Sequence, residues 1–136
     1  MQLPTHLQHF PNGALIVASD TVTAKFYLAD GDAIEELDGV TVPKETGQDG
    51  EGSFEFFPDD APRFRAFAKK LTTRITTLER EHRIPAIHLV MPAEIEHLVT
   101  KNLPRDVATK IGKKIHRDVM KETPIEIVKR VIDAPS

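Results

Sequence analysis

Two groupings of residues in this 136-residue chain could do chemistry. The first is the stretch VTVPKETGQDGEGS, residues 40–53, where Gly47, Gln48, Gly50 and Gly52 stand among acids. A glutamine amide could orient a water for attack on an ester, and glycines supply the positive-φ backbone of a tight loop. Glutamine takes no proton, and no general base stands beside Gln48, so hydrolysis would have to borrow one from a substrate or partner. A phosphate cradle would need the last glycine to feed a helix directly; residues 53–60, with Asp59 and Asp60 among them, intervene. The second grouping is basic. Nine Lys/Arg stand against four Asp/Glu between Lys101 and Val131, whereas eleven acids stand against Lys44 alone between Ala29 and Asp60. Lys101, Arg105, Lys110, Lys113, Lys114 and Arg117 are the candidate phosphate-neutralising residues of a nucleic-acid interface. The same charges also read as two solvated ends that attract each other.

The remaining reactive types form no recognisable frame. There is no cysteine, which removes disulfides, thiolate chemistry and the commonest zinc ligand. His6 and His9 lie three apart near the start, and would share a metal only on a helix. His88 alternates with Ile87 and Leu89 on an apolar strand and reads as an interior histidine. Glu94, Glu96 and His97 read as a solvated helix surface, with Glu94 and His97 spaced to pair. Asp30 and Asp32 flank a hairpin glycine, which turn chemistry explains. No G-x-S-x-G is present. No metal ligand set and no cofactor site is expected.

The elements that must position these residues follow from periodicity. GALIVASD, residues 13–20, is a short buried strand. TVTAKFYLAD alternates, with Val22, Ala24, Phe26 and Leu28 on one face and Thr23, Lys25 and Tyr27 on a half-exposed other. Asp30-Gly31 is the expected hairpin turn, and AIEELDGVTV the return strand, with Asp38-Gly39 a second turn or a bulge. A long helix is expected from Pro62 to Arg80, capped by Asp59 or Asp60, with Phe64, Phe67, Ala68, Leu71, Ile75 and Leu78 forming its apolar face. IPAIHLVMP is a short buried strand and PAEIEHLVTKNL a second helix. PRDVATKIGKK is a helical turn ending near Gly112, and KIHRDVMK a last strand. In ETPIEIVKRVI, Thr123, Pro124 and Glu126 form a capping-box start. A meander followed by α-β-α-β-α predicts one α/β domain over residues 1–136 with a mixed sheet, the long helix making a right-handed crossover.

This element order, with a Gly/Gln stretch between the third strand and a long helix, resembles the middle domain of class-1 peptide-chain release factors of archaea and eukaryotes. It resembles still more the stand-alone bacterial and archaeal relatives, the host attachment protein family among them. ALIVASDTVTAKFYLADG, AIHLVMPAEIEHLV and RDVMKETPIEIVKRV (residues 117–131) carry the likeness. ETGQDGEGS falls where the release factors have Gly-Gly-Gln; Gly47-Gln48 matches, but position 46 is threonine. The resemblance implies association with the ribosome or tRNA, and the lost glycine and acidic surroundings favour binding over catalysis. Two alternatives stay open: a protein-interaction module, for instance a homo-oligomer through a sheet edge, and an ester or phosphodiester hydrolase. The start MQLPTHLQHF has no basic-then-apolar leader pattern, and no apolar run approaches a membrane span, so a cytoplasmic location without a membrane role is expected.

Overall fold

Strand β1 (Ala14–Ser19) is buried along its whole length because it lies at the centre of a five-stranded sheet ordered β3-β2-β1-β4-β5. The computed structural model describes residues 2–41 and 61–135. β2 (Thr23–Asp30) and β3 (Ala33–Thr41) run antiparallel beside β1 as the expected meander. β4 (Ile87–Val90) and β5 (Ile111–Ile115) extend the other side in parallel. The mixed α/β sheet expected from the element order is therefore the observed fold class. Gly47, Gln48, Gly50 and Gly52 lie outside the described residues, as do Asp59 and Asp60.

The turn between β2 and β3 falls one residue later than expected. Asp30 pairs with Ala33, so the two loop residues are Gly31 and Asp32, and Gly31 takes φ 61°. A positive φ at the first loop position alone is the pattern of a II′ turn, which glycine satisfies without strain. Asp38-Gly39 is a bulge rather than a turn: Ala24 pairs with Val40 but Phe26 with Leu37. A Cβ on Gly39 would come within 2.5 Å of the Ala24 carbonyl oxygen, so the bulge needs glycine there. β3 is an edge strand, and the exposed Glu35, Glu36 and Asp38 along it oppose pairing with another chain.

One face of the sheet is covered by α1 (Ala61–His82) and α2 (Ala93–Asn102). Phe67, Ala68, Leu71 and Ile75 of α1 are fully buried against Leu15, Val17, Phe26 and Leu89, as their spacing predicts, and Phe64 packs partly. The other face is covered by α4 (Pro124–Asp133) and an N-terminal segment with a 3-10 turn over Thr5–Leu7. Ile127, Val128 and Val131 meet Ile16, Val90 and Tyr27 there, along with Leu3 and Leu7. β2 is consequently covered on both faces, and Tyr27 is buried rather than half exposed. Burial raises the Tyr27 phenol above its ordinary range, and the neighbouring Glu36 charge adds to the effect. Thr123 and Glu126 close the expected capping box on α4 at 3.2 and 2.9 Å.

The chain after α2 departs from the sequence reading. The helical turn is α3, only Arg105–Ala108, and the last strand is residues 111–115 rather than 114–121. Residues 116–119 form no regular element, and the Met120 N–H is held by Asp118 Oδ1 at 3.0 Å. Gly112, expected to end a helix, is instead a strand residue at an irregularity in the β4–β5 pairing, where Ile87 meets Ile111 but Leu89 meets Lys114. The reason is a side chain on β4: a Cβ on Gly112 would lie 2.8 Å from His88 Cε1. Glycine and the extra residue together make room for the imidazole.

Candidate functional site

α2 begins directly after Pro92, so its first turn stands just beyond the carboxyl end of β4. Open parallel sheets place ligands outside the carboxyl ends of their strands. Glu96 sits in that turn and is only 2 % exposed, although the sequence reads it as a solvated helix surface. Its carboxylate has four described partners. Thr100, one turn on, donates its hydroxyl to Oε2 at 2.6 Å, and Lys114 Nζ stands 3.7 Å from the same oxygen. His116 Nε2 lies 2.8 Å from Oε1, and His97 Nε2 lies 3.7 Å from it. Burial alone would raise this carboxyl. The hydrogen bonds from Thr100 and His116 outweigh it with help from the Lys114 and His97 charges, and the net position is below the ordinary carboxylate range. A helix first turn also favours negative charge.

This grouping is assembled across the fold. Lys114 and His116 are two residues apart on and just past β5, so they project to the α2 side together. The His97 and His116 rings meet edge to face at 5.9 Å. His97 pairs with Glu96 and not with Glu94, the partner its helical spacing suggests. Among the described residues, Glu96, His97 and His116 are the group whose ligand atoms lie close enough, within 4.8 Å of one another, to share a metal ion. The sequence separates Glu96 and His116 by twenty positions, and no local pattern pairs them.

The six candidate phosphate-binding residues divide. Lys110 is bonded to Glu79 of α1, and Lys113 Nζ donates to the Val131 and Ile132 carbonyls at the end of α4, at 2.7 and 3.2 Å. Those ammonium groups are engaged inside the chain, the second where a helix C-terminus favours a cation. Lys101, Arg105, Lys114 and Arg117 are exposed. Lys101 follows His97 by one helical turn and so shares its face of α2. Arg105 opens α3, three residues past the end of α2. Arg117 lines a 550 Å³ groove between the end of β5 and α4. That groove carries both signs, and Arg130 Nε is already bonded to both Glu122 oxygens at 2.6 and 2.8 Å.

His88 is the interior histidine its strand position implies, at 9 % exposure. Its Nδ1 accepts the Lys113 backbone N–H at 3.1 Å, which leaves the proton of the neutral ring on Nε2. Burial holds this imidazole below its ordinary range, and the Lys113 ammonium pushes the same way. The ring lines a 380 Å³ crevice with Phe10, Asn12 and Pro85. His6 and His9 do not form a shared site: the 3-10 turn is too short to carry both, and His9 Nε2 bonds the His6 carbonyl at 3.1 Å.

No family model matches the chain, and no curated protein matches it. Solved structures do resemble it. One, described as an archaeal protein, superposes with a TM-score of 0.49 at 16 % identity over 91 % of this chain and 37 % of its own. A second, the archaeal translation termination factor aRF1, gives a TM-score of 0.48 at 10 % identity over 90 % of this chain and 39 % of its own. The likeness is distant. The chain spans less than half the length of either structure. Among the described residues, no helix is long and apolar enough to cross a membrane.

Proposed function

We propose that the protein is a binding factor for structured RNA, of the ribosome or of tRNA, and that it catalyses no reaction itself. The observation that supports this reading is the distribution of its cations. Four of the nine basic side chains after residue 100 are occupied within the chain: Lys110 by Glu79, Lys113 by helix carbonyls, Lys129 by Asp133 and Arg130 by Glu122. Lys101 and Arg105 are exposed and have no ion-pair partner among the described residues. In this reading they make up one cationic strip with the exposed Arg117 and with Lys114, whose ammonium stands 3.7 Å from Glu96. Unpaired surface cations gain the most from phosphate, because binding releases condensed counterions without breaking an internal salt bridge.

The test is co-sedimentation of the purified protein with ribosomes across a salt series. Association at low salt that falls steeply as salt rises is the expected result. Association indifferent to salt would instead favour a protein surface as the partner. Absence from the pellet at every salt concentration would remove the ribosomal reading.

A further inference from the structure

We propose that Glu96, His97 and His116 bind a divalent transition-metal ion of the zinc class. The proposal rests on the geometry of these three side chains and is independent of the RNA-binding reading.

The donor set is one carboxylate and two imidazoles, which suits zinc and its neighbours better than calcium or magnesium, whose ligands are oxygens. Both histidines present Nε2 to the same carboxylate oxygen, Oε1, at 2.8 and 3.7 Å. Ligand atoms on a tetrahedral zinc stand about 3.3 Å apart, given metal–ligand bonds of about 2 Å. The two Glu96–histidine separations must change by only about half an ångström, and the two imidazole nitrogens, which lie within 4.8 Å of each other, close the remaining distance by rotation of the exposed His97 side chain. The second oxygen, Oε2, is already held by Thr100 at 2.6 Å with Lys114 beyond it. The carboxylate is thereby oriented as the hydrogen-bonded outer groups of metal sites orient their ligands. Oε1 remains for a single-oxygen metal bond. The buried glutamate anchors the site from below, while the His97 and His116 side chains are 73 % and 44 % exposed, so an ion can enter from solvent and a fourth position stays open to water. Lys114 is the one opposing feature: its ammonium charge sets the affinity below that of an all-neutral or anionic shell.

The experiment is zinc titration of the full chain by calorimetry and against a chromophoric indicator. Cobalt absorption spectra report the coordination geometry. The variants are His97→Gln, His116→Gln, Glu96→Gln and, as a control for the other histidines, His6→Gln/His9→Gln. The expected result is one zinc per chain, weakened at least about tenfold in each of the three ligand variants. The control should bind unchanged, and Lys114→Met should bind more tightly. Cobalt should give the intense visible bands of a four-coordinate site. His97→Gln keeps the test sound even if Glu96→Gln fails to fold, because His97 is largely exposed and contributes little packing. Absence of zinc binding in the parent, binding that follows His6 and His9, or binding unaffected by His97→Gln would each overturn the proposal.

Discussion

Glu79 and Glu96 are both buried carboxylates on the same side of the sheet, yet their surroundings differ in kind. Glu79, at the end of α1, is met by Lys110 and Arg80, an ammonium and a guanidinium in direct contact with its carboxylate. Arg80 reaches on to Asp106 at 2.6 Å, so the group fastens α1 to α3 and the start of β5. Glu96 is met instead by a threonine hydroxyl, two imidazoles and a lysine at 3.7 Å. Its lysine stands farther off than either cation of Glu79, and its two imidazoles are groups that can ligate a metal. A carboxylate saturated by fixed cations is a clamp. A carboxylate that keeps one oxygen facing two exposed imidazoles has coordinating capacity left over.

The sharpest break of that comparison is a pair of truncations. Glu79→Ala leaves the partly buried Lys110 ammonium without its acid and is expected to cost about 1–3 kcal/mol in urea melts. Glu96→Ala releases groups that can reach water or turn back to the helix, and is expected to cost roughly 1 kcal/mol or less. A larger loss at Glu96 than at Glu79 would reverse the assignment of clamp and site.

Gly112 links the strand beside Glu96 to the opposite face. Gly112→Ala places a methyl 2.8 Å from His88 Cε1 and 3.1 Å from Nδ1, forcing the ring off the Lys113 N–H. The expected loss is about 1–2 kcal/mol. Adding His88→Ala should make the pair markedly less than additive, because the clash disappears with the ring. Full additivity in melts of the four proteins would show that the ring does not set the glycine requirement.

The smallest effects are in pH. His88 in the fold has a depressed pKa, so its contribution is complete above its ordinary value of 6.5 and is lost as pH falls below that, when the unfolded chain takes up a proton the fold refuses. Glu96 is also depressed, but as an acid: its contribution is complete above about the ordinary 4.5 and lost as pH falls through the folded value. Melting temperature against pH should therefore lose its upper slope in His88→Gln and part of its lower slope in Glu96→Gln. Unchanged profiles in both would mean that neither group titrates differently on folding.

Much of the fold was legible because burial imposes periodicity. The α1 face from Phe67 to Leu78, the alternation in β2 and the Thr123–Glu126 cap are all local patterns with one structural solution. The failures were at places decided by distant residues. Gly112 looks like a helix stop until His88, on a neighbouring strand, shows why it is glycine. Tyr27 looks half exposed until α4 covers it. Glu96 looks like surface because its partners His116 and Lys114 arrive from another strand. Lys110 and Lys113 look like free cations because Glu79 and the α4 carbonyls that occupy them are also remote in sequence.

The central claim, that the unpaired cations beside α2 engage RNA, is tested most directly by anisotropy titration of labelled tRNA across salt. Two variants with equal charge change are compared: Lys101→Glu/Arg105→Glu on the strip, and Lys69→Glu/Lys70→Glu on the exposed side of α1. The expected result is salt-dependent binding by the parent, with a log–log salt slope reduced by roughly two in the strip variant and nearly unchanged in the α1 variant. Equal losses in the two variants, or no binding by the parent at low salt, would contradict the claim.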